Sequence, residues 1–313
     1  MPPFGKDNPK GGFFMCTAVT FQNRYFGRNL DYDHSFGEEV VLTPQEHLFV
    51  FPEGKVMRKH HAILGTALVQ EGYPLYFDAM NEKGLAMAGL LFEGNAVYHV
   101  PVSGKDNIPS WAFIPWVLGQ CETVAEAENL LENLNLTDTP FSENLPPSPL
   151  HWMIADRVRS IVVESMADGL HVYENHVGVL TNNPPFPFHL QNLNQYLNLT
   201  AEEPKNRFSE NLSLQPFSRG MGAIGLPGDW SSSSRFVRAA FVRMNAVEDG
   251  GVSQFFHILG AVEQPKGCVY LGNDRYEMTI YSSCCDLEKG VYYWKNYENY
   301  AIQKLELTKE NKN

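Results

Sequence analysis

The stretch "MCTAVTFQNRYFGRNLDYD", residues 15–33, decides how the chain is read. Its first half is a short apolar and threonine-rich run headed by Cys16. Its second half resumes strand-forming residues after a polar break at Gln22–Asn23–Arg24. Val, Thr, Phe and Tyr suit a pleated, half-buried surface, so two strands joined by a short turn are predicted. Arg28 and Asp31 fall inside this apolar hairpin, where charged side chains out of water need partners. Taken singly, each has a plain reading: a strand cysteine is ordinarily a small core residue, and the Arg–Asp pair a structural ion pair. One chemistry joins all three. If the chain were cut between Met15 and Cys16, the thiol would acquire its own base, the α-amino group. That amine has a pKa of roughly 7.7–8.0, where a general base is useful at neutral pH. Nucleophile and base then sit in one residue and no histidine is needed. Arg28 would favour the thiolate, and Asp31 would hold the amine.

The surrounding chain sets limits on partners. A formal charge of −12 repels phosphate backbones and anionic membranes, which argues against nucleic acid as a partner. No run of 18 apolar residues exists, so no membrane insertion is expected. Residues 1–15 lack the apolar block of a signal peptide and are expected to be a leader or to precede the true start; the protein is expected in the cytoplasm. Five cysteines without a CxxC pair point to reduced thiols, with neither a disulfide framework nor a zinc site. No metal and no cofactor are called for. "GMGAIG", residues 220–225, matches a dinucleotide fingerprint in letters alone, because Pro227 and Gly228 block the helix that would have to follow.

Residues 16–313 are expected to form one domain. "HAILGTALV" (61–69) and "GLAMAGLLF" (84–92) are apolar runs typical of strands covered on both faces. Helices are predicted over "SWAFIPWVLGQC" (110–121) and over "TVAEAENLLENL" (123–134), which opens with a capping box. Strands return in 150–181, then a polar loop over 182–218 with a short helix near 189–197. Two amphipathic helices follow at 233–247 and 252–264, and the chain closes with a strand hairpin and a third strand. This order suggests stacked antiparallel sheets with helices in outer layers, an α+β fold.

Several blocks carry a wider likeness. "MCTAVTF…YFGRNLDYD", "YPLYFDAMNEKGLAMAGL", "FSENLPPSPLHWMIAD", "GVLTNNP", "GLPGDWSSSSRFVRAAF" and "YSSCCDLEKGVYYW" together resemble the bile salt hydrolases of the choloylglycine hydrolase family, which also contains penicillin V acylases. The resemblance runs from Met15 almost to the C-terminus. It implies a four-layer αββα N-terminal-nucleophile hydrolase sandwich, usually a homotetramer. It also implies that Cys16 is the nucleophile, with Arg28, Asp31, Asn182 and Arg235 around it and the Leu91 backbone N–H in the oxyanion hole. Leu30, Phe141, Leu145 and Leu150 would line the acyl pocket. The implied substrate is a glycine- or taurine-conjugated bile acid, cleaved through a thioester. A penicillin V acylase is the alternative of like chemistry, and a non-catalytic amphiphile-binding protein the alternative of another class. The chain departs from the pattern where "GLLF" puts Leu91 in place of the usual asparagine, and in the extra residues before Met15.

Overall fold

The computed structural model describes residues 15–312, so of the expected leader only Met15 is described. The opening hairpin forms as the alternation predicts, with β1 (Cys16–Phe21) antiparallel to β2 (Tyr25–Tyr32). Gln22 and Asn23 both adopt positive φ, the backbone that turns a hairpin in keeping with the twist of its strands. Cys16 lies opposite Leu30 and Ala18 opposite Arg28. Cross-strand partners share a face and neighbours alternate, so Cys16, Arg28 and Leu30 look one way while Thr17, Asn29 and Asp31 look the other.

Apart from two small two-stranded pairs, the strands that follow are β3 (Glu39–Thr43), β4 (Ile63–Gln70), β5 (Tyr73–Asn81), β6 (Ala86–Leu91), β7 (Leu150–Ala155), β8 (Ser160–Met166), β9 (Gly169–Glu174) and β10 (Val179–Leu180). The last are β11 (Val269–Gly272), β12 (Arg275–Asp286), β13 (Val291–Asn296) and β14 (Gln303–Glu306). They build two antiparallel sheets. One runs β10-β1-β2-β12-β13-β14 with β11 also paired to β12; the other runs β9-β8-β7-β6-β5-β4-β3. β5 is a strand the sequence reading did not assign. Its Pro74 sits at the second position, where the missing N–H is tolerated at a strand start.

Helices α1 (Phe113–Leu118) and α2 (Val124–Leu131) cover the second sheet, while α4 (Ser232–Asn245) and α5 (Gly251–Gly260) cover the first. A short α3 (Phe186–Asn192) lies in the polar stretch expected to be mostly loop. The period-2 alternation of buried strands divides the core. In β4, Ile63 packs towards α1 and α2 while Leu64 packs between the sheets; in β6, Met87 and Ala88 split in the same way. The result is the αββα sandwich. The first expected helix is shorter than its apolar run, since Ser110–Ala112 form a 3-10 turn ahead of α1. Thr123 caps α2 by accepting the Glu126 N–H at 3.2 Å. Glu126 returns its carboxylate to the Glu122 N–H, one residue earlier than a standard capping box. "GMGAIG" is a loop with a 3-10 turn at Met221–Ala223, and no helix opens on it.

Gly27 fixes how closely β2 approaches β12. A Cβ there would sit 2.0 Å from the Ser283 carbonyl oxygen and 2.9 Å from the Cys284 Cα. Both obstacles are backbone, so they cannot rotate aside. Gly27→Ala is expected to destabilise the protein by about 3 kcal/mol, read as a lower urea midpoint at unchanged slope.

Candidate active site

Cys16 begins β1 and is almost fully buried at 4 % exposure. It forms part of the floor of a cavity enclosing about 920 Å³ of non-atom space, open mouth included. The four pocket residues expected from the resemblance, Leu30, Phe141, Leu145 and Leu150, all line it, as do Arg28, Asp31 and Leu91. Much of the remaining wall is aromatic: Tyr32, Phe36, Tyr76, Phe77, Trp111 and Trp152. Phe141 and Trp111 meet edge to face at 5.1 Å, which holds the Phe141 ring in the wall.

Behind Cys16 stands a polar network. Its main-chain N–H donates to Asn182 Oδ1 at 2.7 Å. The same oxygen accepts from Arg235 Nη2 at 2.7 Å, while Arg235 Nη1 reaches the Cys16 carbonyl at 2.7 Å and Thr17 Oγ1 at 2.6 Å. Arg235 Nε donates to the Trp230 carbonyl at 3.0 Å. The Asn182 amide Nδ2 donates to the Leu91 carbonyl at 2.8 Å. The Asn182 backbone is tied at both ends, its N–H to Ser232 Oγ and its carbonyl to His189 Nε2. Burial pushes the His189 imidazole down to about 4, which leaves it neutral and able to act as that donor.

Arg28 approaches from the cavity side. Its Nη1 donates to the carbonyls of Phe77 and Gly89. β5 and β6 pair from Met80–Ala86 to Asp78–Ala88 and no further, and the guanidinium spans Phe77 and Gly89 where the two strands part. Burial pushes Arg28 down, but Cys16, Tyr281, Asp78 and Asp31 together hold it firmly protonated. Asp78 is a buried carboxylate taking hydroxyl donors from Tyr281, Ser283 and Tyr292. Leu91 opposes Leu150 while Phe92 donates to the Pro149 carbonyl. Antiparallel pairs alternate, so the Leu91 N–H and C=O both turn away from β7, towards Asn182.

The structure therefore brings Cys16, Arg28, Asp31, Asn182 and Arg235 together. Asp31 accepts from Thr279 Oγ1 at 2.6 Å and Gln264 Nε2 at 3.0 Å, whereas the Cys16 nitrogen is on Asn182. Burial also pushes the Cys16 thiol up, against the lowering by the Arg28 guanidinium. Thr279, Gln264, Asp78 and Glu277 escaped the sequence reading. Glu277 and Thr279 left a faint trace as alternate polar residues in "YEMTIYSS"; Gln264 left none. His151 donates its Nε2–H to the Thr181 carbonyl at 2.8 Å, has Nδ1 3.0 Å from Glu164 Oε1 and stacks on Phe92. Among the described residues no cluster of His, Cys, Asp and Glu could hold a metal ion.

Residues 16–313 match the profile of the linear amide C–N hydrolases of the choloylglycine hydrolase type. The chain belongs to the choloylglycine hydrolase family. It is 52% identical over 302 residues to a bile salt hydrolase/transferase of Lactiplantibacillus plantarum, covering 95% of this chain and 93% of that one. A bile salt hydrolase/transferase of Clostridium perfringens is 39% identical over 308 residues, covering 95% and 94%. The crystal structure of a mutant conjugated bile acid hydrolase from Clostridium perfringens superposes with a TM-score of 0.87 at 37% identity, over 96% of this chain and 94% of that one. A penicillin V acylase from Agrobacterium tumefaciens shares the fold, with a TM-score of 0.72 at 19% identity over 94% and 86%. In this choloylglycine hydrolase Cys16 stands at the start of β1, in the sheet beneath α4.

Asp31 gives a pH signature. Burial raises its carboxyl from an ordinary 3.8 to about 6. Between those values the native state holds a proton that the unfolded chain has released, so stability falls as pH rises through the window. Replacing Asp31 with Asn removes this slope. Wild type is expected to lose roughly 2–3 kcal/mol relative to Asp31→Asn on going from pH 3.8 to 6, measured by urea unfolding at each pH.

Proposed function

We propose that this choloylglycine hydrolase cleaves the amide bond of glycine- or taurine-conjugated bile acids with Cys16 as an amino-terminal nucleophile. The observation that carries the reading is the position of Cys16: it lines an apolar cavity while its own nitrogen sits in a buried polar network. A rigid, bulky, amphipathic acyl group suits a wall of Leu and aromatic side chains. In this reading the Met15–Cys16 bond is the processing point, and removal of residues 1–15 frees the α-amine.

The steps follow from the groups present. The α-amine takes the thiol proton, and sulfur adds to the amide carbonyl. The developing oxyanion is met by the Leu91 N–H and by the second amide hydrogen of Asn182, a kind of contact worth roughly 3–4 kcal/mol. Arg28 stabilises the sulfur side of the site. The C–N bond breaks, the amine proton returns to glycine or taurine, and a thioester remains on Cys16. Water attacks it, giving the free bile acid and the thiol; a different amine attacking in its place would give acyl transfer. Leu91 supplies an N–H but no side-chain amide, which bears on which amides are accepted. Cytoplasmic residence and a homotetramer belong to the same proposal, supported by the family membership.

Incubation of protein that begins at Cys16 with glycocholate or taurocholate is expected to release glycine or taurine, quantified by amino-acid analysis. Cys16→Ala should abolish the release, and Asn182→Ala should lower kcat by roughly 10²–10³-fold. No release from protein whose intact mass places Cys16 first would favour an amphiphile binder. Turnover of penicillin V alone would favour the acylase. The cavity makes its own test: Phe141→Ala is expected to raise KM by roughly 10–30-fold with kcat little changed, since it removes binding shared by ground and transition states.

A further inference from the structure

Glu277 is a buried ionisable group that the proposed chemistry leaves unused. It stands on β12, fully out of water. One carboxyl oxygen accepts the Met15 N–H at 2.5 Å; the other, Oε2, is buried with no hydrogen-bond partner among the described residues. β12 carries a register shift between Thr279 and Tyr281. Tyr281 therefore faces Asp78 across the core, while Thr279 lies opposite Asp31 and Glu277 shares its side. Burial pushes the Glu277 carboxyl up to about 8, with Asp31 and Asp33 adding to the rise and Arg235 and the Met15 N–H opposing it.

A main-chain amide is a poor partner for such a group. It has one hydrogen and no charge, so half of a buried two-oxygen acceptor stays unsatisfied. An α-ammonium has three hydrogens and a full positive charge, enough for both oxygens and for the countercharge. We propose that Glu277 is the receptor for a free amino terminus: after residues 1–15 are removed, Glu277 and Asn182 Oδ1 hold the Cys16 nitrogen between them. Successive backbone nitrogens are separated by about 3.5 Å, so the space vacated by Met15 brings the carboxyl and the Cys16 nitrogen within reach of a small shift. Glu277 thus acts as a positioning residue, aiming the base and setting its proton affinity. The groups facing this pair are Asp31 and Arg28 on β2, Asp33 just after it, Arg235 on α4, Asn182 after β10 and the Cys16 thiol itself. The inference rests on the processing proposed above.

The test uses protein beginning at Cys16, with the α-amine titrated by nitrogen NMR in cysteine-labelled wild type and Glu277→Gln. Loss of the neighbouring anion should lower the amine pKa by roughly one unit, and the ascending limb of kcat/KM against pH should move down equally. A purely structural role would scale activity without moving that limb. An unchanged amine titration in folded Glu277→Gln overturns the proposal. If that variant does not fold, Glu277→Asp, which keeps the charge one methylene further back, should give a smaller shift of the same sign, and no shift there overturns it equally. The NMR titration needs no substrate, so a shifted amine in a protein that cleaves no bile-salt amide would sink the substrate reading and leave this one standing.

Discussion

A guanidinium sealed from water near the start of α4 is the constraint on which the site depends. Arg235 is fully buried and has five donors to satisfy and no acceptor of its own. It places four of them on the Cys16 carbonyl, Thr17 Oγ1, Asn182 Oδ1 and the Trp230 carbonyl. These acceptors come from β1, from the segment after β10, and from the approach to α4. Three separate parts of the chain are thereby forced to one point. Losing the cation would strand those acceptors in a dry place, at a cost on the order of 3–5 kcal/mol. The position of Cys16 is thus set from behind, by main chain and side chain together, before any group in the cavity touches it.

Strand alternation then separates two environments only one residue apart. Cys16, Arg28 and Leu30 share the face that meets the apolar cavity. Thr17, Asn29 and Asp31 turn the opposite way, and their partners are Arg235, the Leu259 carbonyl, Gln264 and Thr279. The shift in β12 keeps this separation intact on the neighbouring strand. Without the extra residue, Thr279 and Tyr281 would lie on one face. Either Asp31 would lose a hydroxyl donor or Asp78 would lose the Tyr281 hydroxyl. Arg28 joins the two environments, since it starts on the strand paired with that of Cys16 and ends between β5 and β6.

Charge within the site is balanced at short range. The chain carries −12 overall, which opposes an approaching anion. Arg28 and Arg235 provide positive potential beside Cys16, held against Asp31, Asp78 and Glu277. Burial raises the affinity of all three carboxyls for protons, and the two guanidinium groups work against that rise. Asp31 and Asp78 are surrounded by hydrogen bonds that water would otherwise provide, whereas Glu277 keeps one oxygen without a partner among the described residues.

Local pattern made much of this legible. The hairpin at 16–32, the capped α2, the long α4 and the terminal strands all follow from periodicity and turn chemistry within a few residues. The polar pair inside an apolar hairpin was visible too, and so was the need for Arg28 and Asp31 to find partners. Asn182 and Arg235 carry no such local signal; only the resemblance of whole blocks placed them, because 166 residues separate Cys16 from Asn182. β5 escaped notice because its alternating buried positions follow a proline that reads as a breaker. Glu277, Gln264 and Asp78 escaped for a deeper reason. A polar residue in a strand is silent about its role until sheet register and the β12 shift decide which face it takes and what it meets there. The sequence by itself determined the strand pair, the family and which cysteine is proposed as the nucleophile. Tertiary structure alone decided that the nitrogen of Cys16 rests on Asn182 and the Met15 N–H on Glu277, because those contacts exist only once two sheets and a helix have closed around them.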